Sequence, residues 1–369
     1  MLKISNDNLI AFHPGYYVKR YLDDQDMKQS ELADRLNTNE KRASELVNGK
    51  IELDDNLIEG LALVFGTSES MWKNLNDKYL KIKEQINRQN QLEEEKNIQK
   101  QMDYKFWENL GLVKQTSNTI DKISELRRIF HISSLKVLEN RDFLVQYKTA
   151  VPEVKNKNVI NSNAWVQTAL NIGHLKEVSS IDLEYLRSKL PEIRKMTRDD
   201  PEKFMPKLNN IFSKSGVAFV IIPNLKNCGV NGAVKWLGKD KVLLAMNDRR
   251  KYADVFWFAL FHEIRHVFQQ KKGHIIISSD KNIGLRSVLD IDTLEYDANT
   301  FAQDYLINQK QYEEFVAKNN FSSTSVKEFS DKIDIHSGVV VGRLQRDNYI
   351  EYNQLNNLRQ KYNIIAKNS

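Results

Sequence analysis

The sequence predicts a mainly α-helical protein with a smaller α+β part, and three observations lead to this prediction. The first 80 residues carry short apolar stripes at helical spacing, separated by polar turns. Residues 81–105 are charged and contain neither glycine nor proline, which is typical of an exposed helix. From residue 216 onward, short apolar and alternating runs indicate strands, and a long apolar helix with two histidines follows them.

Length and composition exclude several classes of protein. A chain of 369 residues exceeds the size of one core, so we expect two or three folded units. No run approaches the roughly 18 uncharged apolar residues of a membrane span, so no membrane partner is expected. The N-terminus lacks the apolar segment of a secretory signal, and the single Cys228 cannot form an internal disulfide. These features predict a cytoplasmic protein.

Residues 27–50 predict two short helices joined by a tight turn. Each helix has an apolar stripe, the first formed by Leu32, Ala33 and Leu36 and the second by Ala43, Leu46 and Val47. The chain breaks at Asn37 and Thr38, Asn39 is a natural N-cap, and Gly49 suits the left-handed position that ends a helix. Two such helices form a helix-turn-helix unit, whose second helix can enter the DNA major groove.

Five exposed positions of this unit are candidate DNA contacts: Gln29, Asn39, Lys41, Arg42 and Ser44. The alternative is a small helical bundle whose exposed residues are merely solvated. The net charge of +6 does not decide between them, because residues 1–80 hold ten basic against fourteen acidic residues.

Residues 13–79, HPGYYVKRYLDDQDMKQSELADRLNTNEKRASELVNGKIELDDNLIEGLALVFGTSESMWKNLNDKY, resemble the HigA branch of the XRE helix-turn-helix family. The resemblance implies binding to double-stranded operator DNA, often as a homodimer, and in many relatives the antitoxin side of a toxin–antitoxin pair. Two positions depart from the family pattern: Asn37 replaces the usual turn glycine, and Ala43 replaces an apolar β-branched residue. The acidic charge of the unit implies that affinity depends on dimerisation or on the basic remainder of the chain.

The second half of the chain predicts a small sheet followed by a buried helix. GVAFVIIP, from residue 216, has the pattern of a buried strand, and the alternating residues around Gly238 predict a hairpin. The helix that follows contains H-E-x-x-H, in which His262 and His266 lie on one face, one turn apart, as two ligands of one zinc ion require. Glu263 lies beside them, where it can act as general base on an attacking water. Such a sheet and helix are the usual setting of a zincin-like domain.

A catalytic zinc site takes a third protein ligand, and the helix predicted at residues 293–307 supplies two candidates. Glu295 is favoured, because it shares a stripe with Ala298 and Ala302, whose small side chains allow close packing on the histidine helix. Asp297 is the competing ligand. Asp297 and Asn299 are also candidates for orienting the imidazoles.

Two further residues have open roles. Arg265 is expected to face outward or to pair with an acid. His274 is expected to be structural, with a place near the cleft as a transition-state donor as the alternative.

GAVKWLGKDKVLLAMNDRRKYADVFWFALFHEIRHVF and LEYDANTFAQDYLI resemble the ImmA/IrrE metallopeptidases found fused to HigA-type domains, and residues 337–362 are similar to the tail of such fusions. The resemblance implies that His262, His266 and Glu295 bind Zn²⁺, that Glu263 is the base, and that the substrate is a transcriptional regulator. It also implies that the substrate lies along an edge strand, for which we consider the hairpin at 232–246. Arg265 departs from the family, and we expect it to narrow the cleft.

The sequence therefore predicts five segments: a helix-turn-helix domain (1–80), a charged helical linker (81–105), a helical region (106–205), a zinc metallopeptidase domain (206–312) and a C-terminal helical extension (313–369). Two functions follow from them. The first is a DNA-binding zinc endopeptidase that cleaves a repressor or antitoxin-like regulator. The alternative is a HigA-type regulator, with a cognate toxin as partner, whose zinc-site domain is a sensor or a structural module that cleaves nothing.

Overall fold

The computed structural model describes residues 2–141, 143–144, 155–249, 252–270, 275–279 and 291–362, and for residues 275–279, 291 and 292 it describes the backbone. The chain divides into two compact units, residues 1–97 and 98–369. The five segments predicted above are a finer division than this one, and their boundaries stay a prediction.

The first unit is a small helical bundle with a short hairpin at its N-terminus. Its strands are β1 (Lys3–Ser5) and β2 (Ile10–Phe12), which pair antiparallel. Its helices are α1 (Pro14–Asp24), α2 (Gln29–Arg35), α3 (Glu40–Val47), α4 (Asp55–Phe65) and α5 (Glu69–Gln99). The core joins α1 to α5 through Val18, Leu32, Leu46, Leu61 and Trp72, each 0% exposed.

The His-Pro-Gly sequence that opens α1 has a physical reason at each position. The His13 imidazole caps the helix by accepting from the Gly15 backbone N–H at 2.9 Å. Pro14 occupies the first helical turn, where no intrahelical donor is needed. A side chain at Gly15 would place its Cβ 2.0 Å from the Leu46 carbonyl oxygen, so only glycine lets α1 approach the end of α3.

The structure confirms the predicted helix-turn-helix pair. Helices α2 and α3 flank a turn in which Asn37 has a φ of 50°, a conformation that asparagine tolerates better than most residues. The Asn39 side chain caps α3 by accepting from the Arg42 backbone N–H at 2.8 Å. Gly49, with a φ of 64°, follows the end of α3 as predicted.

The charged segment after residue 80 is helical, but it does not form a helix of its own. Residues 81–99 continue α5, which begins at Glu69 and is 31 residues long. Pairs such as Arg88 with Glu84 lie on its exposed surface at i,i+4 spacing. Such pairs support a helix only modestly, by about 0.3–0.5 kcal/mol each.

The second unit surrounds one four-stranded sheet with helices. The helices before the sheet are α6 (Tyr104–Asn109), α7 (Thr119–Phe130), α8 (Asn156–Leu175), α9 (Leu183–Lys195) and α10 (Pro201–Lys214). The strands are β3 (Val217–Ile222), β4 (Val230–Trp236), β5 (Val242–Asn247) and β6 (Ile275–Ser279). The remaining helices are α11 (Ala253–Phe268), α12 (Ile291–Leu306), α13 (Gln309–Val316), α14 (Ser323–Lys332) and α15 (Ser337–Arg346).

The strand order is β3-β5-β4-β6, in which β3 and β5 are parallel and the other pairs are antiparallel. The hairpin predicted around Gly238 is confirmed as β4 and β5, with Trp236 opposite Val242. The suggestion that this hairpin offers an edge for a substrate is wrong. Strand β5 lies between β3 and β4, and the other side of β4 pairs with β6, which leaves β3 and β6 as the outer strands of the described sheet.

The sheet is covered on both faces, which explains why β3 and β5 are almost continuously apolar. Helix α8 packs on one face, where Gly173 lies against the Leu243 side chain. Helix α11 packs on β4 and β5, in a core that contains Val234, Leu244 and Trp257. The same core includes Val340 and Leu344 of α15, so the C-terminal helices are integral to the fold of this unit.

Candidate metal centre

One face of α11 carries a polar or aromatic side chain at every fourth residue. Asp254, Phe258, His262 and His266 follow one another at this interval, and residues four apart on an α-helix lie on the same side. His262 is 6% exposed and His266 is 0% exposed. The two histidines are therefore held inside the unit, where an unpartnered imidazole would be costly.

Four side-chain atoms of three residues, on two helices, meet at this face. His262 Nε2 lies 2.9 Å from His266 Nε2. Glu295 of α12 brings Oε1 to 3.1 Å from His266 Nε2 and Oε2 to 3.4 Å from His262 Nε2. Ala298 and Ala302, both 0% exposed, allow α12 to pack closely on α11. The structure thus brings together the three residues that the sequence predicts as zinc ligands.

The spacing of these four atoms suits a small metal ion. In a tetrahedral site with metal–ligand distances of about 2.0–2.1 Å, neighbouring ligand atoms are roughly 3.3 Å apart. The separations of 2.9, 3.1 and 3.4 Å are close to that value, with the last two measured to different oxygens of Glu295. Two imidazole nitrogens and a carboxylate oxygen are also donors that zinc takes in catalytic sites. The same contacts can serve as hydrogen bonds among the three side chains, so metal content is the deciding measurement.

The charges around the cluster favour an ionised carboxylate. Burial by itself would raise the pKa of Glu295, but hydrogen bonds and charge interactions with His262 and His266 outweigh it and lower the pKa to about 2. Burial by itself would lower the pKa of His266, whereas Glu295 and Glu263 outweigh burial and raise it. A cation is therefore favoured between these side chains, whether it is a proton or a metal ion.

Glu263 lies beside the cluster because a glycine of β4 leaves room for it. The residue is 2% exposed and lines the same cavity as His262 and Glu295. A Cβ atom added to Gly232 would lie 2.3 Å from Glu263 Oε1 and 2.7 Å from its Cδ. The carboxylate thus occupies the space in which any other residue at position 232 would place its side chain.

A chain of hydrogen bonds fixes the second histidine. His266 Nδ1 lies 2.7 Å from Gln269 Oε1, an acceptor, so this nitrogen carries the proton and Nε2 is left with a free electron pair toward the cluster. The Gln269 amide nitrogen donates to Asp297 at 2.7 Å and to the Leu294 carbonyl at 3.0 Å. Asp297, the competing ligand candidate, contacts Gln269 and Arg265 rather than the cluster.

Arg265 pairs with an acid, which was one of its two expected roles. Its guanidinium donates to both carboxylate oxygens of Asp297, at 2.8 and 3.0 Å, and lies over the Phe301 ring. The guanidinium and Gln269 together lower the pKa of Asp297. Arg265 is not among the described residues that line the cavity. The expectation that Arg265 narrows the cleft is therefore wrong for this cavity.

A cavity of about 500 Å³ opens onto the cluster. Helices α11 and α12 and strands β4 and β5 form part of its wall, and α15 with the segment that follows it forms the rest. Asn299, predicted to lie near the imidazoles, lines this cavity. Its volume is in the range of small-ligand sites, so it can admit a few residues of an extended chain.

Sequence reasoning missed three residues of this site. Gly232 had a signal, because an isolated glycine in a strand pattern often marks a close approach of another group. Gln269 follows His266 at i+3, which places it beside that histidine on a helix. Arg346 on α15 lines the cavity but stands 80 positions after His266, and nothing in the pattern connects the two.

The residues predicted to contact DNA are exposed or partly exposed in the first unit, and three of them also have local roles. Asn39 caps α3, and the Ser44 hydroxyl accepts from the Asn48 side chain at 3.3 Å. The Arg42 guanidinium forms an ion pair with Asp54, the N-cap of α4. Gln29 opens α2 and Lys41 lies in the first turn of α3, and both are exposed to solvent.

Two expectations concern the rest of the chain. His274 lies outside the described residues. Within the part of the chain that is described, none of the helices has both the length and the apolar character needed to cross a bilayer.

Comparisons with known proteins find likeness in a limited part of the chain. No protein-family model and no curated protein sequence matches it. An addiction module antidote protein of a HigA family from Coxiella burnetii is similar at 28% identity, over 23% of this chain and 92% of the other, with a TM-score of 0.21. A Nostoc punctiforme protein assigned as an antidote of a plasmid maintenance system is similar at 23% identity over the same shares, with a TM-score of 0.22. At TM-scores of this size, neither likeness decides the function of the chain.

Proposed function

We propose that this protein is a DNA-binding, zinc-dependent endopeptidase. One observation carries the proposal: the donor atoms of His262, His266 and Glu295 lie 2.9–3.4 Å apart, with Glu263 beside them in an accessible cavity. A site that only held a metal would need the first three residues. The fourth, a buried carboxylate next to the cluster, is what a hydrolytic site adds.

The chain's own residues divide the reaction between them. His262, His266 and Glu295 would hold zinc, which when bound supplies Lewis acidity toward the substrate carbonyl. Glu263 takes a proton from the attacking water while the water oxygen bonds to the carbonyl carbon. Glu263 then passes this proton to the amide nitrogen as the C–N bond breaks. Gln269 keeps the His266 ring in the orientation and tautomer that ligation requires.

The first unit points to transcriptional regulation as the setting of this activity. Its helix-turn-helix pair presents Gln29 and Lys41 to solvent, as operator binding requires. We propose a repressor or antitoxin-like regulator as the protein substrate. The helix-turn-helix unit equally supports the alternative, a HigA-type regulator with a cognate toxin whose zinc site senses a ligand or stabilises the fold.

Glu263→Gln separates the two functions. The amide keeps the shape of the side chain but cannot accept the proton, so the variant should bind about one zinc per chain and melt like the wild type. Cleavage should fall by about 10²–10⁴-fold, the usual contribution of a general base. The measurement is co-expression with regulators encoded by the neighbouring genes, following partner levels, with elemental analysis and thermal melting in parallel.

His266→Ala is the matched control, since it removes a ligand and should lose metal as well as activity. Wild-type behaviour of Glu263→Gln in every assay, including transcription, would mean that the site is sensory or structural. Equal and near-zero zinc in the wild type and in His266→Ala would remove the metal site altogether.

A further inference from the structure

The wall of the cavity opposite the sheet carries a guanidinium that forms no ion pair with a carboxylate of the described residues, although the charge of the adjacent Asp347 acts on it. Arg346, in the last turn of α15, lines the cavity and places its guanidinium carbon 4.3 Å from the centroid of the Phe258 ring. Among the residues that the structure describes, this ring is the group that the guanidinium contacts directly. The side chain is exposed to solvent and so is available to a ligand.

The position of Arg346 follows from the packing of α15 on α11. At Gly342 the two helices are so close that an added Cβ would lie 2.4 Å from Asp254 Oδ2. One turn further along both helices, the Arg346 guanidinium lies over the Phe258 ring. Phe258 is in turn one helical turn before His262, with ring centroids 6.4 Å apart. The guanidinium is therefore held by helix packing on the histidine-bearing face of α11.

The distances place the guanidinium within reach of the metal cluster. The guanidinium carbon lies 4.3 Å from the Phe258 ring centroid, which lies 6.4 Å from the His262 ring centroid. The guanidinium carbon is therefore within about 11 Å of the His262 ring. An extended peptide advances roughly 3.3–3.6 Å per residue. A side chain within three residues of the bond at the cluster can therefore contact Arg346.

The charges of the other two arginines of the cavity wall are each offset by an aspartate, although the buried Arg343 Nη1 has no hydrogen-bond partner among the described residues. Arg359 donates to both oxygens of Asp254, at 3.1 and 2.8 Å. Arg343 donates to Asp347 at 2.6 Å and to Gln309 at 3.1 Å. Of the three described arginines that line this wall, Arg346 is the one without an ion pair, so it has capacity for an incoming anion. A planar guanidinium suits a carboxylate in particular.

We propose that Arg346 is a specificity residue that binds an aspartate or glutamate side chain of the substrate, within three residues of the bond that is cleaved. The position of the acidic residue relative to a cleaved bond rests on the proposed function. Binding of an acidic peptide to the cavity can be measured without cleavage. The substrate class is accordingly an extended, acidic segment of a protein.

The test uses the full-length, zinc-loaded Glu263→Gln variant, which should bind peptides without cutting them. Two pools of fluorescent heptapeptides are compared at low salt, with identical random positions and a central glutamate in one pool or glutamine in the other. We expect the glutamate pool to bind about fivefold more tightly, the effect of one partly exposed ion pair. Adding Arg346→Gln should abolish the difference, Arg346→Lys should restore part of it, and Arg346→Glu should reverse it.

Arg187→Gln is the matched control, because Arg187 also stacks on a phenylalanine, Phe268, but does not line the cavity as described. This variant should keep the full preference for the glutamate pool. Equal binding of the two pools, an unchanged preference in Arg346→Gln, or no binding of the glutamate pool at millimolar concentration would each overturn the proposal. Failure of the peptidase hypothesis would be seen separately. The wild-type protein would then bind the acidic pool but cleave no peptide in it.

Discussion

At the scale of single residues, the site depends on a few contacts that exclude alternatives. Glu295 rather than Asp297 joins the histidines, because Asp297 is held by Arg265 and Gln269. Glu263 has its place because position 232 has no side chain. These contacts give residue-level tests that leave the three proposed metal ligands intact.

Gly232→Ala should displace the proposed base without removing the metal. The new Cβ would meet Glu263 Oε1 at 2.3 Å and the Ala245 carbonyl oxygen at 3.2 Å, so the carboxylate must move. We expect peptide cleavage to fall by about 10²-fold or more, the lower range of a general-base contribution, with zinc content unchanged. Cleavage assays and elemental analysis on the same preparation measure both.

Gly173→Ala provides the control for this change. Its Cβ would also meet a neighbour, at 2.7 Å, but that neighbour is the flexible Leu243 side chain under α8. Stability can fall in this variant, whereas activity per folded molecule should stay close to wild type. Undiminished cleavage by Gly232→Ala would contradict the role given to Glu263.

At the scale of elements, the second helix of the helix-turn-helix pair, α3, contains a guanidinium that is partly neutralised. Arg42 is paired with Asp54, which also caps α4 by accepting from the Leu57 backbone N–H at 2.9 Å. Both side chains of the ion pair are about half exposed, at 43% and 50%, so the pair itself contributes little stability. The ion pair instead reduces the positive charge at the proposed DNA surface.

Asp54→Asn should therefore strengthen binding to the protein's own promoter, because asparagine keeps the cap but releases the charge of Arg42. Lys41→Ala and Arg42→Ala should weaken binding and reduce its dependence on salt, each by about one phosphate contact. Fluorescence anisotropy at several salt concentrations measures these effects.

Arg88→Ala, which breaks an exposed pair on α5, is the control and should bind like wild type. Unchanged affinity in all three of Asp54→Asn, Lys41→Ala and Arg42→Ala would restore the interpretation of the unit as a plain helical bundle.

At the scale of the whole molecule, each of the two units has its own core, and the proposed metal ligands lie in one of them. The core of the second unit extends from Leu186 to Tyr362 and includes the helices on both sides of the cluster. A ligand that binds only the folded state stabilises it in proportion to the logarithm of its concentration. Metal should therefore act on the second unit.

Removing zinc with a chelator should lower the stability of the second unit, by about 4 kcal/mol if zinc was present at a thousand times its Kd. Hydrogen exchange measured with and without chelator should show faster exchange in α11 and α12. Peptides from residues 1–97 serve as the internal control and should exchange at the same rate in both conditions. Equal exchange throughout would show that the cluster contributes nothing to folding through metal.

The sequence by itself determined the local features of this protein, and the tertiary structure decided how distant segments meet. Helical spacing puts His262 and His266 on one side of α11, and local backbone chemistry sets the caps and turns at Asn39 and Gly49. These follow from residues within a few positions of each other. The order of the strands, the space left by Gly232 and the packing of α15 on α11 depend on contacts between segments far apart in the chain. No local pattern encodes such contacts, which is why the hairpin could be predicted but not its place inside the sheet, and why Arg346 was found only in the fold.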